Sequence, residues 1–103
     1  MVTGSRRHEP RLTHQSHKVL SAFVNNPTGD LAGADLLHTT GLAPGTLYPI
    51  LFRFEEAGWL QSRWERIDPS RAGRPRRRLY RITPGGLTRV VALRAEILGC
   101  VPT

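Results

Sequence analysis

The sequence has a single cysteine, Cys100, among its 103 residues. A lone thiol excludes an internal disulfide framework and is typical of proteins in a reducing compartment. A disulfide between the Cys100 residues of two chains is the alternative for this thiol. The chain also lacks an apolar run long enough to span a membrane, and it does not begin with a charged-then-apolar signal segment. We therefore expect a cytoplasmic protein without a membrane partner.

Acidic residues and lysine are scarce. The chain has 8 Asp and Glu against 15 Lys and Arg, which gives a net charge of +7, and Lys18 is the only lysine. A clustered basic segment is the electrostatic footprint of a polyanion such as nucleic acid, although a run of charge can equally be a solvated surface. Only Glu65 and Asp68 oppose the cluster, whose eight arginines are Arg63, Arg66, Arg71, Arg74, Arg76, Arg77, Arg78 and Arg81.

Motifs for catalysis or metal binding are missing as well. His14 and His17 are three residues apart on a predicted helix, but no third ligand has a matching spacing, so we interpret them as part of a solvated helix face. There is no nucleophile with its base, no Gly-rich phosphate loop and no pair of catalytic carboxylates. The sequence therefore predicts a protein that is not an enzyme and needs no metal or other cofactor.

The first part of the chain predicts an arm followed by helices. Residues 1–11 mix Gly, Ser, Arg and Pro without periodicity, which indicates a flexible N-terminal arm. Thr13 is a suitable N-cap for a first helix over 13–25, which ends before a proline. A turn or a very short strand around Leu31 then leads to a second helix over 33–39.

A third helix follows the turn at Gly41 and ends at Gly58. Its apolar residues have the i, i+3, i+4, i+7 spacing of one buried helix face, at Leu47, Ile50, Leu51 and Phe54. Pro49 lies within that run, and a proline in a helix interior costs about 3 kcal/mol. If Thr46 is the N-cap, the helix loses no hydrogen bond at Pro49. If the helix begins at Pro44, one hydrogen bond is lost and a slight kink is expected.

The rest of the chain predicts a hairpin and a last helix. Residues 59–67 and 76–83 have the pattern of strands, and 68–75 has the Pro and Gly residues of an arginine-rich loop between them. A last helix over 84–98 follows the start signal at Thr83. Because its apolar residues cover more than one face, part of this helix is expected to meet another chain.

This order of elements is that of a winged helix-turn-helix. We predict a mainly α fold with a small β-hairpin wing and a C-terminal dimerisation helix. The predicted organisation is an arm (1–11), a winged helix-turn-helix DNA-binding domain (12–83) and a C-terminal helix (84–103).

Two stretches of the sequence strongly resemble a known family. PGTLYPILFRFEEAGWLQSRWE and the later GRPRRRLYRIT are similar to the helix and wing motifs of the PadR-like transcriptional regulators. The similarity covers roughly residues 33–86. The positions that carry it are Gly45, Thr46, Leu47, Tyr48, Pro49, Leu51, Arg53, Glu55, Gly58, Arg74, Pro75, Arg76, Tyr80 and Thr83.

The resemblance implies a repressor that binds double-stranded DNA as a homodimer and responds to a small molecule or another signal. A pseudo-palindromic operator with half-sites about one helical turn apart suits such a dimer. The alternative is a winged-helix module for protein interaction or for nonspecific nucleic-acid binding. In the family the last helix dimerises with help from the first, so the expected interface residues are Val19, Phe23, Leu87, Val90, Val91, Arg94, Ile97 and Leu98.

The predicted DNA contacts come from the third helix and the wing. The outer face of the third helix enters the major groove, where Thr46 and Arg53 can meet base edges and Tyr48 a phosphate; the alternative for Tyr48 is the edge of the core. We expect Glu55 to pair with a hairpin arginine, and Phe52 to pack under the wing or against a partner. The full predicted set is Thr46, Tyr48, Pro49, Arg53, Arg71, Arg74, Arg76, Arg77 and Arg78.

Overall fold

The structure is a computed structural model that describes residue 10 and residues 12–97. In this part of the chain the helices are α1 (His14–Val24), α2 (Gly33–Thr40), α3 (Pro44–Glu56), α4 (Pro69–Ala72) and α5 (Pro84–Ile97). The strands are β1 (Leu31–Ala32), β2 (Leu60–Trp64) and β3 (Arg78–Ile82). Apart from Pro10, the predicted arm lies outside the described residues.

The three strands form an antiparallel sheet in the order β1-β3-β2. Strands β2 and β3 pair from Leu60 opposite Ile82 to Trp64 opposite Arg78. The short strand β1 pairs with the other edge of β3. Together with α2 and α3, this sheet confirms the predicted mainly α fold with a small wing.

The wing differs from its predicted boundaries. The strands are shorter than the segments 59–67 and 76–83 that we expected. The loop between them contains the single-turn helix α4, which was not predicted. Asp68 caps it, because Asp68 Oδ1 accepts a hydrogen bond from the Ser70 amide at 3.0 Å. Pro69 occupies the first helical position, where a missing amide hydrogen costs nothing.

Local signals determine the ends of the first two helices. Thr13 Oγ1 accepts a hydrogen bond from the Ser16 amide at 3.1 Å, so Thr13 is the N-cap of α1, as predicted. Gly41 ends α2 with a φ of 72°, a left-handed conformation that glycine adopts without steric cost. Both helices are therefore confirmed.

Helix α3 begins at Pro44, which decides between the two predicted starts. Its N-cap is Ala43, whose carbonyl accepts a hydrogen bond from the Leu47 amide at 2.9 Å. Pro49 is therefore inside the helix. Since proline has no amide hydrogen, the carbonyl of Gly45 lacks its normal helical donor.

The C-terminal end of α3 leads directly into the wing. The Gly58 amide donates to the Glu55 carbonyl at 3.0 Å, and the Trp59 amide donates to the Phe54 carbonyl at 2.9 Å. With Gly58 at a φ of 80°, these two bonds form a Schellman motif. The Phe54 and Trp59 rings stack with their centroids 5.5 Å apart. The chain thus leaves α3 in a defined direction towards β2.

Thr83 connects the start of α5 to the end of α3. Thr83 Oγ1 accepts a hydrogen bond from the Gly86 amide at 2.9 Å and donates one to the Gly58 carbonyl at 2.8 Å, which ties the start of α5 to the end of α3. A Cβ atom at Gly86 would overlap the Trp59 carbonyl, so α5 passes directly over this connection.

The core lies between the helices and one face of the sheet. The largest fully buried side chains are Phe23, Phe54, Leu20, Leu36, Leu47, Leu51, Val19 and Val90.

None of the helices in the described residues is both long enough and apolar enough to cross a membrane.

Candidate nucleic-acid interface

The outer face of α3 carries the residues predicted to read DNA. Tyr48 is 42% exposed and lies next to the exposed Pro49. Arg53 is exposed further along the helix, and Thr46 is half-buried near its start. The other face of α3 is buried in the core, as predicted, at Leu47, Ile50, Leu51 and Phe54. The helix therefore has one side fixed in the domain and one side facing solvent, which is the arrangement of a recognition helix.

Tyr48 packs against the start of α2. A Cβ atom at Gly33 would overlap the Tyr48 hydroxyl oxygen and come within 3.1 Å of the ring. The absence of a side chain at Gly33 therefore leaves room for the phenol between the two helices. Gly33 was not among the predicted site residues, because no local sequence pattern shows which residue from another helix lies above a glycine.

Glu55 joins α3 to the wing through a serine. Ser62 Oγ, on β2, donates a hydrogen bond to Glu55 Oε2. The expected ion pair between Glu55 and a hairpin arginine was therefore wrong, although the link between helix and hairpin is present. Ser62 is paired with Tyr80 across the sheet. Burial raises the pKa of Tyr80, and the nearby charge of Glu55 raises it further.

Asp30 holds two of the clustered arginines at the sheet. Asp30 Oδ2 lies 2.7 Å from Arg63 Nη2, and Asp30 Oδ1 lies 3.0 Å from Arg81 Nε. Partial burial opposes the ionisation of Asp30, but hydrogen bonds and charge from the two arginines outweigh it and lower the pKa of Asp30. Two positive charges of the cluster are thus partly neutralised within the protein.

Glu65 and Arg74 form a two-point ion pair across the wing loop. Arg74 Nη1 donates to Glu65 Oε1 at 2.7 Å, and Arg74 Nη2 donates to Glu65 Oε2 at 3.0 Å. The hydrogen bonds from Arg74 lower the pKa of Glu65 to about 2, so the carboxylate is charged at neutral pH. Arg74 was a predicted DNA contact, and in the structure its guanidinium faces Glu65 instead of solvent alone.

The other arginines of the wing loop have different surroundings. Arg76 Nε donates to the Ile67 carbonyl at 3.0 Å, which ties the two sides of the loop together. Arg66, Arg71 and Arg77 have exposed side chains. Arg66 belonged to the basic cluster seen in the sequence but not to the predicted contacts, because the shape of the loop decides which of its arginines face solvent.

Two large aromatic side chains are exposed, one on the wing and one on α3. Trp64 at the end of β2 is 57% exposed, and the Arg78 guanidinium lies 5.0 Å from its ring centroid in a cation–π contact. Phe52 on α3 is 62% exposed. The wing therefore does not cover Phe52, which leaves contact with a partner as the remaining expectation for this residue.

The sequence profile of the transcriptional regulator PadR-like family matches residues 34–91. This match covers more than half of the chain and includes all but the first residue of α2, the whole of α3 and the wing. The chain belongs to the PadR-like family. A search of curated proteins finds no match to it.

Solved structures share the fold of this PadR-like chain. AbfR of Staphylococcus epidermidis has a TM-score of 0.69 at 20% identity, over 88% of this chain and 56% of AbfR. A PadR-like transcription factor from Bacteroides fragilis has a TM-score of 0.67 at 18% identity, over 84% of this chain and 85% of its own. For smu.1704 from Streptococcus mutans UA159 the TM-score is 0.63 at 29% identity, over 80% and 74%. This chain spans between 56% and 61% of the AbfR chains that it matches.

The predicted dimer residues of this PadR-like chain fall into three groups. Those fully buried within the single chain are Val19, Phe23 and Val90. They belong to the core of the single chain and have no exposed surface there, so their contact with a second chain stays a prediction. Those at the surface of α5, half-buried or exposed, are Leu87, Val91 and Arg94. The side chains outside the described part are Ile97 and Leu98.

Proposed function

We propose that this PadR-like protein is a sequence-specific DNA-binding repressor that acts as a homodimer on a pseudo-palindromic operator. The observation that carries the proposal is the solvent-facing side of α3, where Tyr48, Pro49 and Arg53 are exposed while the other side is core. A helix held in this way enters the major groove as a rigid part of the domain.

The side chains on the outer face of α3 are chemically suited to contacts with DNA. Arg53 has the forked donors that match guanine or a phosphate. Thr46, near the start of the helix, meets a base edge or a thymine methyl group. Tyr48, whose ring packs on Gly33, donates its hydroxyl to a phosphate. In this arrangement Thr46 and Arg53 read the sequence, whereas Tyr48 sets the orientation of the helix.

The wing supplies positive charge beside the recognition helix. Its arginines contact phosphates or enter the adjacent minor groove. AbfR has been solved bound to DNA in its reduced form and shares this fold with a TM-score of 0.69, which supports DNA as the partner. A protein that acts on the chromosome belongs in the cytoplasm. The arginines proposed for contact are Arg71, Arg76, Arg77 and Arg78, as well as the exposed Arg66, whereas Arg74 is held by Glu65.

The homodimer is proposed to form through α5. Val91 is 52% exposed on this helix, and Leu87 and Arg94 are half-buried beside it. A large apolar side chain held in water is stabilised when a second chain covers it. Two α3 helices related by a two-fold axis then read two half-sites about one helical turn apart.

The salt dependence of DNA binding tests the proposed contacts. If each chain neutralises three or four phosphates, the logarithm of the binding constant of the dimer falls against the logarithm of salt concentration with a slope of roughly −5 to −7. We expect this slope in fluorescence anisotropy titrations with duplex DNA from the region upstream of the protein's own gene. A slope near −1 would contradict the assignment of the wing.

Footprinting and mass in solution test sequence specificity and the dimer. We expect a protected two-fold site and a dimer mass, with random duplex DNA competing weakly. Competition by random DNA at equal strength would reduce the protein to a nonspecific binder. A strict monomer that still protects a two-fold site would contradict the homodimer.

A protein-interaction module is the second candidate, and the exposure of Phe52 and Trp64 favours it. These side chains are 62% and 57% exposed, and exposed aromatic residues are enriched where proteins meet. Absence of a mobility shift with both upstream and random DNA at low salt would favour this candidate over the repressor.

A further inference from the structure

The wing contains an acidic residue where a DNA-binding surface would be expected to exclude one. Glu65 directly follows β2, and it lies between Arg63 and Arg66 in the sequence. Hydrogen bonds from Arg74 keep the pKa of Glu65 at about 2, so the carboxylate is ionised at neutral pH. A carboxylate repels nearby phosphates. Its presence in the wing therefore calls for a structural reason that offsets this repulsion.

The Glu65 carboxylate connects both sides of the wing loop. Its two oxygens accept from the two terminal nitrogens of Arg74, nine residues further along, at 2.7 and 3.0 Å. Oε1 also accepts from the Arg77 amide at 3.1 Å, while the Glu65 amide donates to the Arg77 carbonyl at 2.9 Å. The side chains of Glu65 and Arg74 are 19% and 37% exposed. The backbone bond between Glu65 and Arg77 thus extends the β2–β3 pairing by one residue pair. The partly shielded Glu65 carboxylate also anchors the end of the loop that leads into β3.

The segment enclosed by this ion pair is held by further contacts. The Gly73 amide donates to the Pro69 carbonyl at 2.9 Å, with Gly73 at a φ of 71°. Arg76 Nε donates to the Ile67 carbonyl at 3.0 Å. The loop is therefore a preformed element, and helix α4 within it presents Arg71 to solvent.

We propose that Glu65 and Arg74 are positioning residues that hold the wing loop in its DNA-binding shape, and that Arg66 and Arg71 contact phosphates from this loop. This inference rests on the proposed DNA-binding function. Both terminal nitrogens of Arg74 are bound to Glu65, whereas the side chains of Arg66 and Arg71 are exposed and have no hydrogen-bond or ion-pair partner among the described residues. A loop held in advance loses less conformational entropy when it binds.

The substitution Glu65→Gln tests the positioning role by the sign of its effect. If Glu65 acts only through its charge, removing that charge strengthens DNA binding. If Glu65 anchors the loop, the loop contacts weaken, and we expect about tenfold lower affinity with a salt slope that is smaller in magnitude. The measurement is the anisotropy titration with upstream duplex DNA over a range of salt concentrations.

Glu56→Gln is the matched control for this substitution. Glu56 is exposed at the end of α3, and its side chain has no hydrogen-bond or ion-pair partner in the part of the chain that the structure describes. The substitution E56Q removes the same charge as E65Q but leaves the anchor of the wing loop in place, so we expect unchanged or higher affinity for DNA. Equal weakening by E56Q and E65Q would overturn the positioning role.

A charge exchange separates positioning from direct contact by Arg74. Arg74→Glu alone places two carboxylates together, and we expect it to weaken DNA binding. The double variant E65R/R74E restores the ion pair, and we expect affinity within about threefold of wild type. If Arg74 itself binds a phosphate, the double variant stays as weak as R74E, and the proposal fails.

Single substitutions of the proposed contacts complete the test. We expect Arg66→Gln and Arg71→Gln each to reduce the magnitude of the salt slope by about 1 per chain, because each removes one phosphate contact. Unchanged slopes in both variants would contradict the assignment of Arg66 and Arg71.

The outcomes distinguish this inference from the function on which it rests. Wild-type protein that binds no DNA contradicts the DNA-binding function. Wild-type protein that binds DNA, with E65Q binding equally or more tightly, overturns the positioning role alone. Circular dichroism melts of every variant check that the fold is retained. If E65Q is less stable than the wild type, the DNA affinity of E65R/R74E decides whether Glu65 and Arg74 have the positioning role.

Discussion

At the scale of single residues, the position of Tyr48 depends on a glycine in another helix. Gly33 is buried at the first position of α2, and any side chain there would occupy the space of the Tyr48 phenol. The overlapping atoms are the far end of a tyrosine side chain, which can rotate away. A substitution at Gly33 should therefore disturb the proposed phosphate contact more than it disturbs the fold.

Gly33→Ala tests this dependence. We expect DNA affinity to fall by about tenfold, or about 1.4 kcal/mol, because the Tyr48 hydroxyl is displaced from the proposed phosphate contact. Thermal stability should change little, since the tyrosine can move and alanine favours the helix. Anisotropy titrations measure the affinity, and a melting curve measures stability.

Gly85→Ala is the control for the Gly33 substitution. Gly85 is also near the start of a helix, and a Cβ atom there would meet nothing within 4 Å. It should leave DNA affinity unchanged. If G33A binds DNA as tightly as G85A does, Tyr48 does not make a contact that depends on its packing.

At the scale of elements, α3, the proposed recognition helix, contains a proline in its interior. The helix begins at Pro44, so Pro49 is beyond the first turn, where each amide normally donates to the carbonyl four residues earlier. Pro49 therefore lowers the stability of α3. The four buried residues of the helix compensate through their packing, and they are Leu47, Ile50, Leu51 and Phe54.

Pro49→Ala is expected to stabilise the protein. The alanine amide can donate to the Gly45 carbonyl, and the free energy of unfolding should rise by about 1–3 kcal/mol. Urea denaturation with an unchanged m-value measures this difference.

Pro44→Ala is the matched comparison for the Pro49 substitution. Pro44 occupies the first helical position, where a missing amide hydrogen is not needed, so its replacement should change stability much less. Equal effects of P44A and P49A would mean that the Gly45 carbonyl already has a satisfactory partner.

At the scale of the whole molecule, α5 is packed on one side and uncovered on another. Val90 is fully buried in the core, whereas the next residue, Val91, is 52% exposed. The sequence places apolar residues on more than one face of α5. In the structure one of these faces packs in the core and another lies at the surface. That surface is where the proposed second chain would bind.

Val91→Glu tests the proposed dimer surface. A carboxylate buried without a partner is strongly unfavourable, so we expect dimerisation to weaken by roughly a hundredfold or more. Light scattering during size-exclusion chromatography measures the mass. Gln61→Glu, at an exposed position of β2, adds the same charge elsewhere and should leave the dimer intact. A V91E protein with unchanged mass at low concentration would exclude this surface.

The order of the elements was predictable because local chemistry encodes it. The Thr13 cap, the left-handed Gly41 and the apolar spacing on α3 each depend on residues within a few positions of one another. The recognition-helix and wing motifs likewise lie within continuous stretches, which is why the family was predictable from residues alone. Asp68 and Pro69 are local signals too, and they would have predicted α4 if they had been read as a cap and a first helical residue.

The sequence by itself thus determined the four longer helices, the hairpin and the family of this protein, but neither the start of α3 nor helix α4. Tertiary structure decided which residues meet across the chain: Gly33 lies under Tyr48, Ser62 takes the place of an arginine at Glu55, and Arg74 turns to Glu65. It also placed Val90 in the core and Val91 at the surface. The physical reason is distance along the chain, because helical and turn preferences act over a few residues, whereas these contacts depend on how distant segments pack together.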